Sequence, residues 1–267
     1  MDNIEKIKSL LYSYADWQTI GNKEQSYHIE IQKGDQFLYY FGSNHSRDPQ
    51  NFQYPELKKY WQDFLEKTHS KNSIFLGEGG IRKISEDENM AIRKDAEGGL
   101  VTLFAHQAEI PIESPEPTSH DERQELVKQF SKEEVQYYYF ARTVHQWLDI
   151  PEPRPNFKEY MGRFLARDEK DSQWVGFDFS FENMERIHKT IFGTDFSYQD
   201  KDFFYSIINP TKEKSIINAV AGSCSMFRNV HIVAMIEELW KDGKNIFAVF
   251  GGGHLILQER ALRKLLN

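Results

Sequence analysis

The stretch Asn245–Leu255, NIFAVFGGGHL, decides how the rest of the chain is read. Ile246–Phe250 is a short, wholly apolar run of β-branched and aromatic residues, the composition of a strand buried on both faces. Three glycines then allow a sharp turn before His254, and a Leu-rich amphipathic stretch over 255–266 predicts a closing helix. The same pattern stands near the N-terminus, where Phe37-Leu38-Tyr39-Tyr40-Phe41 runs into Gly42-Ser43-Asn44-His45. A third apolar run, Asn72–Leu76, ends in Gly77-Glu78-Gly79-Gly80.

Outward from these three strands the elements follow from periodicity. Residues 27–32 and 36–41 alternate around the turn residues Lys33-Gly34-Asp35 and predict a hairpin that delivers His45. Helical spacing predicts helices over 3–16 (ended by Gly21-Asn22), 54–68, 86–93 and 97–106, and 109–112 reads as a short strand leading into Glu113-Ser114-Pro115-Glu116-Pro117. Residues 122–148 read as two helices, the second capped by Ser131 with Glu134 three positions on. After Pro151, Pro153 and Pro155, helices are expected over 157–165 and 181–192, separated by an irregular acidic stretch. Another is expected over 214–240, with Gly222 as a candidate break. The expected fold is a single α/β domain over 1–267: a central mixed, largely parallel sheet flanked by helices, with a helical insertion at 120–210.

With 39% hydrophobic and 14% aromatic residues among 267, the chain has the material for a large core. A formal net charge of −8 speaks against a nucleic-acid partner, whose recognition rests on basic patches. Cys224 is the one cysteine, which excludes an intramolecular disulfide and fits a reducing compartment. The N-terminal residues lack the basic and apolar regions of a signal peptide, and no run approaches the length of apolar residues that a membrane span needs. A cytoplasmic protein without a membrane span is expected.

His45, Glu78, Glu113 or Glu116, and His254 all stand at strand ends. Ligands of open α/β sheets gather in the crevice beyond the carboxyl ends of the strands, so these groups converge if the strands are parallel neighbours. Two histidines and a carboxylate form a common ligand set for a catalytic divalent metal, which brings the pKa of bound water to about 7. Each residue also has a plainer reading: a packed or surface histidine, a solvated turn glutamate at 78, a loop acid at 116, and turn-capping side chains at Ser43 and Asn44. Arg228 is either an oxyanion or carboxylate binder or a surface arginine. Ser223-Cys224-Ser225 lacks a nucleophile elbow, and no H-E-x-x-H, Walker A or G-x-G-x-x-G pattern occurs after a strand.

Those motifs, Gly42-Ser43-Asn44-His45 and Gly251-Gly252-Gly253-His254, resemble the TraB/PrgY/GumN and Tiki family, within a superfamily that includes erythromycin esterase-like and ChaN-like proteins. Glu78 with Arg82 four residues on, and Arg228-Asn229-Val230-His231-Ile232-Val233-Ala234-Met235-Ile236, extend the likeness over residues 36–117 and 222–266. The resemblance implies an α/β fold whose central sheet is built from two related halves, and a site built on His45, Glu78 and His254, with Arg228 as charge stabiliser and Glu116, then Glu97, as further acids. Tiki-like members are manganese- or cobalt-dependent proteases, whereas erythromycin esterase-like members use a histidine base without metal. Phe227 stands where several relatives carry an acid, His231 where they carry small or apolar residues, and the membrane anchor of Tiki-like members has no counterpart here. Three expectations follow. The first is a metal-dependent hydrolase, a peptidase holding manganese, cobalt or zinc at His45, Glu78 and His254, with Glu116 as general base. The others are a metal-free esterase-like hydrolase, and a non-catalytic protein that binds a peptide or small ligand.

Overall fold

The computed structural model describes residues 3–20 and 26–267. Among them five strands form one sheet: β1 (Tyr27–Lys33), β2 (Gln36–Ser43), β3 (Ser73–Gly77), β4 (Ile112–Glu113) and β5 (Asn245–Gly251). The order is β1-β2-β5-β3-β4; β1 runs antiparallel to β2, and every other pairing is parallel. The fold is thus mixed α/β with a mostly parallel sheet, as the apolar runs predict. The last strand in the chain sits at the centre of the sheet, and all seven of its residues are buried.

Strand alternation divides the core between the two faces. Tyr39, Phe41, Phe75, Phe247 and Val249 pack beneath α3 (Gln53–Thr68) and α4 (Glu88–Gln107). Phe247 meets Trp61 edge-on at 4.9 Å and Phe64 at 5.3 Å. Such edge-to-face pairs contribute about 0.5–1.5 kcal/mol each beyond the area they bury. On the other face Tyr40 and Phe250, with ring centroids 5.6 Å apart, point toward α11 (Gly252–Leu266). There the Tyr40 hydroxyl donates to Gln258 Oε1 at 2.9 Å. The helix that follows β2 therefore covers one face and the helix that follows β5 covers the other. Adjacent parallel strands with that divergence leave a crevice at their carboxyl ends.

The chain divides into two compact units, residues 1–116 with 229–267, and residues 117–228. The sheet lies in the first, with α1 (Asn3–Leu10), α2 (Tyr14–Ile20), α3, α4 and α11. The second holds α5 (Ser119–Leu126), α6 (Lys132–Leu148), α7 (Phe157–Ser172), α8 (Phe181–Phe192) and α9 (Lys201–Ile208). Helix α10 (Ile216–Lys241) is shared, belonging to the second unit through Arg228. The segment expected as an insertion, 120–210, falls inside the second unit. That unit packs Tyr137, Phe140, Phe157, Met161 and Phe204 together and buries an Arg123–Asp168 pair at 2.8 Å, with Gln136 bonded to both partners at 3.0 Å. The Ser131–Glu134 capping box at the start of α6 forms as the sequence predicts.

Several boundaries differ from expectation. The helix expected over 3–16 is two helices, because Ser13 and Asp16 cap each other's backbone and start a new one; Gly21-Asn22 lies outside the described residues. Helix α7 extends to Ser172, into the stretch expected to be irregular, with Asp168 turned inward to Arg123, while 173–180 holds no helix, as expected. Helix α9, capped by Asp200, was not foreseen, and α10 is continuous through Gly222. The strand expected over 109–112 begins only at Ile112, because Ile110 donates back to Ala105 O and closes α4. Among the described residues α10 alone is long and apolar enough to cross a membrane, with mean hydropathy 1.3; a buried core helix passes the same test, and Ile217, Val220, Ala221 and Cys224 are core residues of the second unit.

Candidate active site at the ends of β2, β3 and β5

Parallel register places Ser43 opposite Gly251 and Gly77 opposite Val249, so the three strands stop together. His45 lies two residues beyond β2 in a left-handed conformation, φ 52°. Glu78 follows β3 directly, and its amide donates to Val249 O at 3.3 Å. His254 stands in the first turn of α11.

These three side chains come together. His45 Nε2 lies 3.6 Å from Glu78 Oε2, and His254 Nε2 lies 3.7 Å from Glu78 Oε1. Gly251 N donates to Glu78 Oε2 at 2.7 Å, which fixes the carboxylate between the two rings. The expectation that the glycines form a turn before the helix is corrected: α11 begins at Gly252, and none of Gly251, Gly252 or Gly253 has a positive φ. What Gly251 supplies is room, since a Cβ there would lie 2.5 Å from His45 Nε2.

The outer nitrogen of each ring is also held. His45 Nδ1 meets Glu97 Oε1 at 2.6 Å, and His254 Nδ1 meets Asn229 Oδ1 at 2.9 Å. Both partners are acceptors, so each Nδ1 carries its proton and each ring turns its Nε2 toward Glu78. The Glu97 carboxylate against Nδ1 raises the His45 pKa above its ordinary value. Glu97 is 4% exposed, and its Oε2 is buried without a hydrogen-bond partner. Its placement depends on a break in α4, where Asp95 and Ala96 leave helical geometry and Ala96 takes φ 52°. Arg82 braces this region by donating to Glu78 O at 2.7 Å and pairing with Asp95 at 3.4 Å. Behind His254, Gln258 donates to Asn229 Oδ1 at 2.7 Å and accepts from Tyr40. Burial, with Glu78 and Glu116 nearby, holds the Tyr40 phenol well above its usual range, so it remains a donor.

The other expected residues take different positions. Glu116 Oε2 accepts from Gly79 N at 2.5 Å, and Ser114 accepts from Gly80 N at 3.2 Å, so the acid-proline segment shapes the loop after Glu78. Glu113 is exposed. Arg228 lies in the second unit with Nε 3.8 Å from Glu122 Oε2. Cys224 is fully buried there, and burial pushes its thiol up to about 12.

His45, Glu78 and His254 line a cavity of about 320 Å³, together with Trp17, Tyr27 and Ile256. No three described His, Cys, Asp or Glu side chains close around a point as a finished metal cage. The donor chemistry nevertheless fits a divalent cation: two imidazole lone pairs and a carboxylate face one another, with the outer nitrogens already tied down. Sequence reasoning missed Trp17, and it weighed Asn229 only as part of a motif. Their signals, an aromatic at the end of an amphipathic helix and an amide inside a long apolar helix, are too common to single out. No family model, curated protein or solved structure matches this chain.

Proposed function

We propose that this chain is a hydrolase, a peptidase in the first instance, that activates water between His45, Glu78 and His254. The observation that carries the reading is the pair of Nε2 atoms turned on one carboxylate from two sides, at 3.6 and 3.7 Å. Three sets of lone pairs at that spacing repel one another unless a proton or a cation lies among them. His45, Glu78 and His254 would hold a divalent metal, manganese, cobalt or zinc, which when bound lowers the pKa of water to about 7 and polarises a carbonyl. Glu97 and Asn229 keep both Nδ1 atoms protonated and the rings oriented. The start of α11, which has no side-chain cap, presents the positive end of that helix beside His254, where negative charge develops on a carbonyl oxygen. The likeness of the two G-x-x-H motifs to the TraB and Tiki family supports the same reading.

The His45–Glu97 contact favours a second reading. A histidine backed by a buried carboxylate is the orienting pair of metal-free hydrolases, and here it would let His45 take a proton from water directly.

One experiment separates these readings. Metal content is measured on the purified protein after incubation with manganese, cobalt or zinc, and turnover is followed on a panel of peptides and esters before and after chelation. The first reading expects stoichiometric metal, lost in His254→Ala, and turnover abolished by chelation. Turnover that survives chelation but is lost in Glu78→Ala selects the second. Ligand binding without turnover on any substrate rejects both and leaves a binding protein.

A further inference from the structure

We infer that the N-terminal strap α1–α2 forms the specificity wall of this site, and that Trp17 selects substrates carrying an apolar side chain, leucyl or phenylalanyl in size, beside the reacting bond. The inference deepens the hydrolase reading and names the substrate class of the same cavity.

The strap is fixed to the helix that carries His254. Arg260 on α11 donates from Nε to Leu10 O at 2.8 Å and from Nη2 to Leu11 O at 2.6 Å, satisfying the carbonyls at the end of α1. The same guanidinium lies 4.4 Å from the Tyr12 ring centre, and Tyr12 N donates to Leu257 O at 3.0 Å. Ile7 and Leu11 are buried beneath. Ser13 and Asp16 then start α2 with reciprocal side-chain bonds, which sets the direction in which Trp17 leaves the helix.

What the strap delivers is an indole at the wall of the cavity. A Cβ on Gly253 would meet Trp17 Cη2 at 3.0 Å, so the first turn of α11 is bare where the ring lies against it. Trp17 is half-buried rather than buried. It shares the cavity wall with Ile256 and Tyr27, whose hydroxyl is taken up by Glu259 at 2.5 Å. The same cavity is lined by His45, Glu78 and His254. A space of about 320 Å³ lined by both ionisable groups and apolar side chains suits a carbonyl compound whose reacting bond meets the ionisable groups while a hydrocarbon side chain rests on the indole. A purely structural Trp17, serving only to pack α2 on α11, would leave side-chain preference untouched.

The test uses the full chain and its Trp17→Ala and Trp17→Phe variants. Substrates share one scissile amide or ester and differ only in the flanking side chain: glycyl, alanyl, leucyl and phenylalanyl. The wild type should prefer the larger side chains. Trp17→Ala should lose tenfold or more in kcat/KM on the leucyl and phenylalanyl members, chiefly through KM, with less than threefold change on the glycyl one, since one methylene in an apolar pocket is worth about tenfold or more. Trp17→Phe should recover part of the loss. Equal loss across the series, or no loss, overturns the inference. If the wild type turns over none of them, the hydrolase reading fails, and the wall is judged by calorimetric binding of N-acetyl-phenylalaninamide and N-acetyl-glycinamide. Preferential binding of the first that is lost in Trp17→Ala upholds the wall; no preference overturns it.

Discussion

Replacing Asn229 with alanine tests whether the site is held from behind as the hydrogen bonds indicate. Asn229 is fully buried, and its Oδ1 accepts from His254 Nδ1 at 2.9 Å and from Gln258 Nε2 at 2.7 Å. Alanine removes the acceptor of two donors, one of them on the fully buried Gln258. A stranded buried donor costs about 1–3 kcal/mol and the His254 ring can shift its proton, so a loss of about 1–3 kcal/mol is expected, against a total near 5–15 kcal/mol for an ordinary native protein. Urea unfolding followed by circular dichroism should show the midpoint falling at unchanged slope. Nitrogen-15 spectra of the histidines supply a second readout. His254 should be Nδ1-protonated in the wild type and should lose that preference in Asn229→Ala. Asn229→Asp keeps an acceptor and should keep the tautomer. A variant within about 0.5 kcal/mol of the wild type, with the tautomer intact, would refute the claim that Asn229 orients His254.

Gly251→Ala should abolish turnover and metal uptake while leaving far-ultraviolet dichroism unchanged, because the new methyl occupies the space of His45 Nε2 and the buried strand cannot withdraw. Asp168→Ala, which leaves the Arg123 guanidinium buried and unpaired, should cost about 3–5 kcal/mol in urea unfolding. Burial lowers the His188 pKa, so between its folded value and the unfolded 6.5 the unfolded chain binds the extra proton. Stability should therefore rise with pH through that window and level off above it. In His188→Gln the wild-type slope should shrink, by at most about 1.4 kcal/mol per pH unit.

The sequence was most legible where local chemistry dictates the outcome. An unbroken apolar run can only be a strand covered on both faces or a buried helix, and its length decides for Ile246–Phe250. The Ser131–Glu134 box and the 27–41 hairpin rest on contacts a few residues apart, and both were readable. The meeting of His45, Glu78 and His254 was foreseen from their strand ends. Which strand neighbours which could not be read, because the slot of β5 between β2 and β3 depends on side-chain packing across more than 160 positions. Glu97 reaches His45 only because α4 breaks at Ala96, a non-glycine residue whose left-handed backbone no propensity suggests. Trp17 was overlooked for a similar reason: its contact with Gly253 joins opposite ends of the chain. The three glycines carried a true signal with the wrong cause, close approach in place of a turn.

The central position of β5 has a consequence for how the molecule comes into being. Until residues 245–251 are made, β2 and β3 have no strand between them, and each exposes an unpaired edge of backbone amides and carbonyls. Residues 117–228, by contrast, are contiguous and emerge from the ribosome before β5 does. The sheet is completed by an insertion that pairs both open edges at once, and the same event brings Gly251 and His254 to Glu78. An incomplete chain therefore has no site: closing the sheet and assembling the chemistry are one step in the life of the protein.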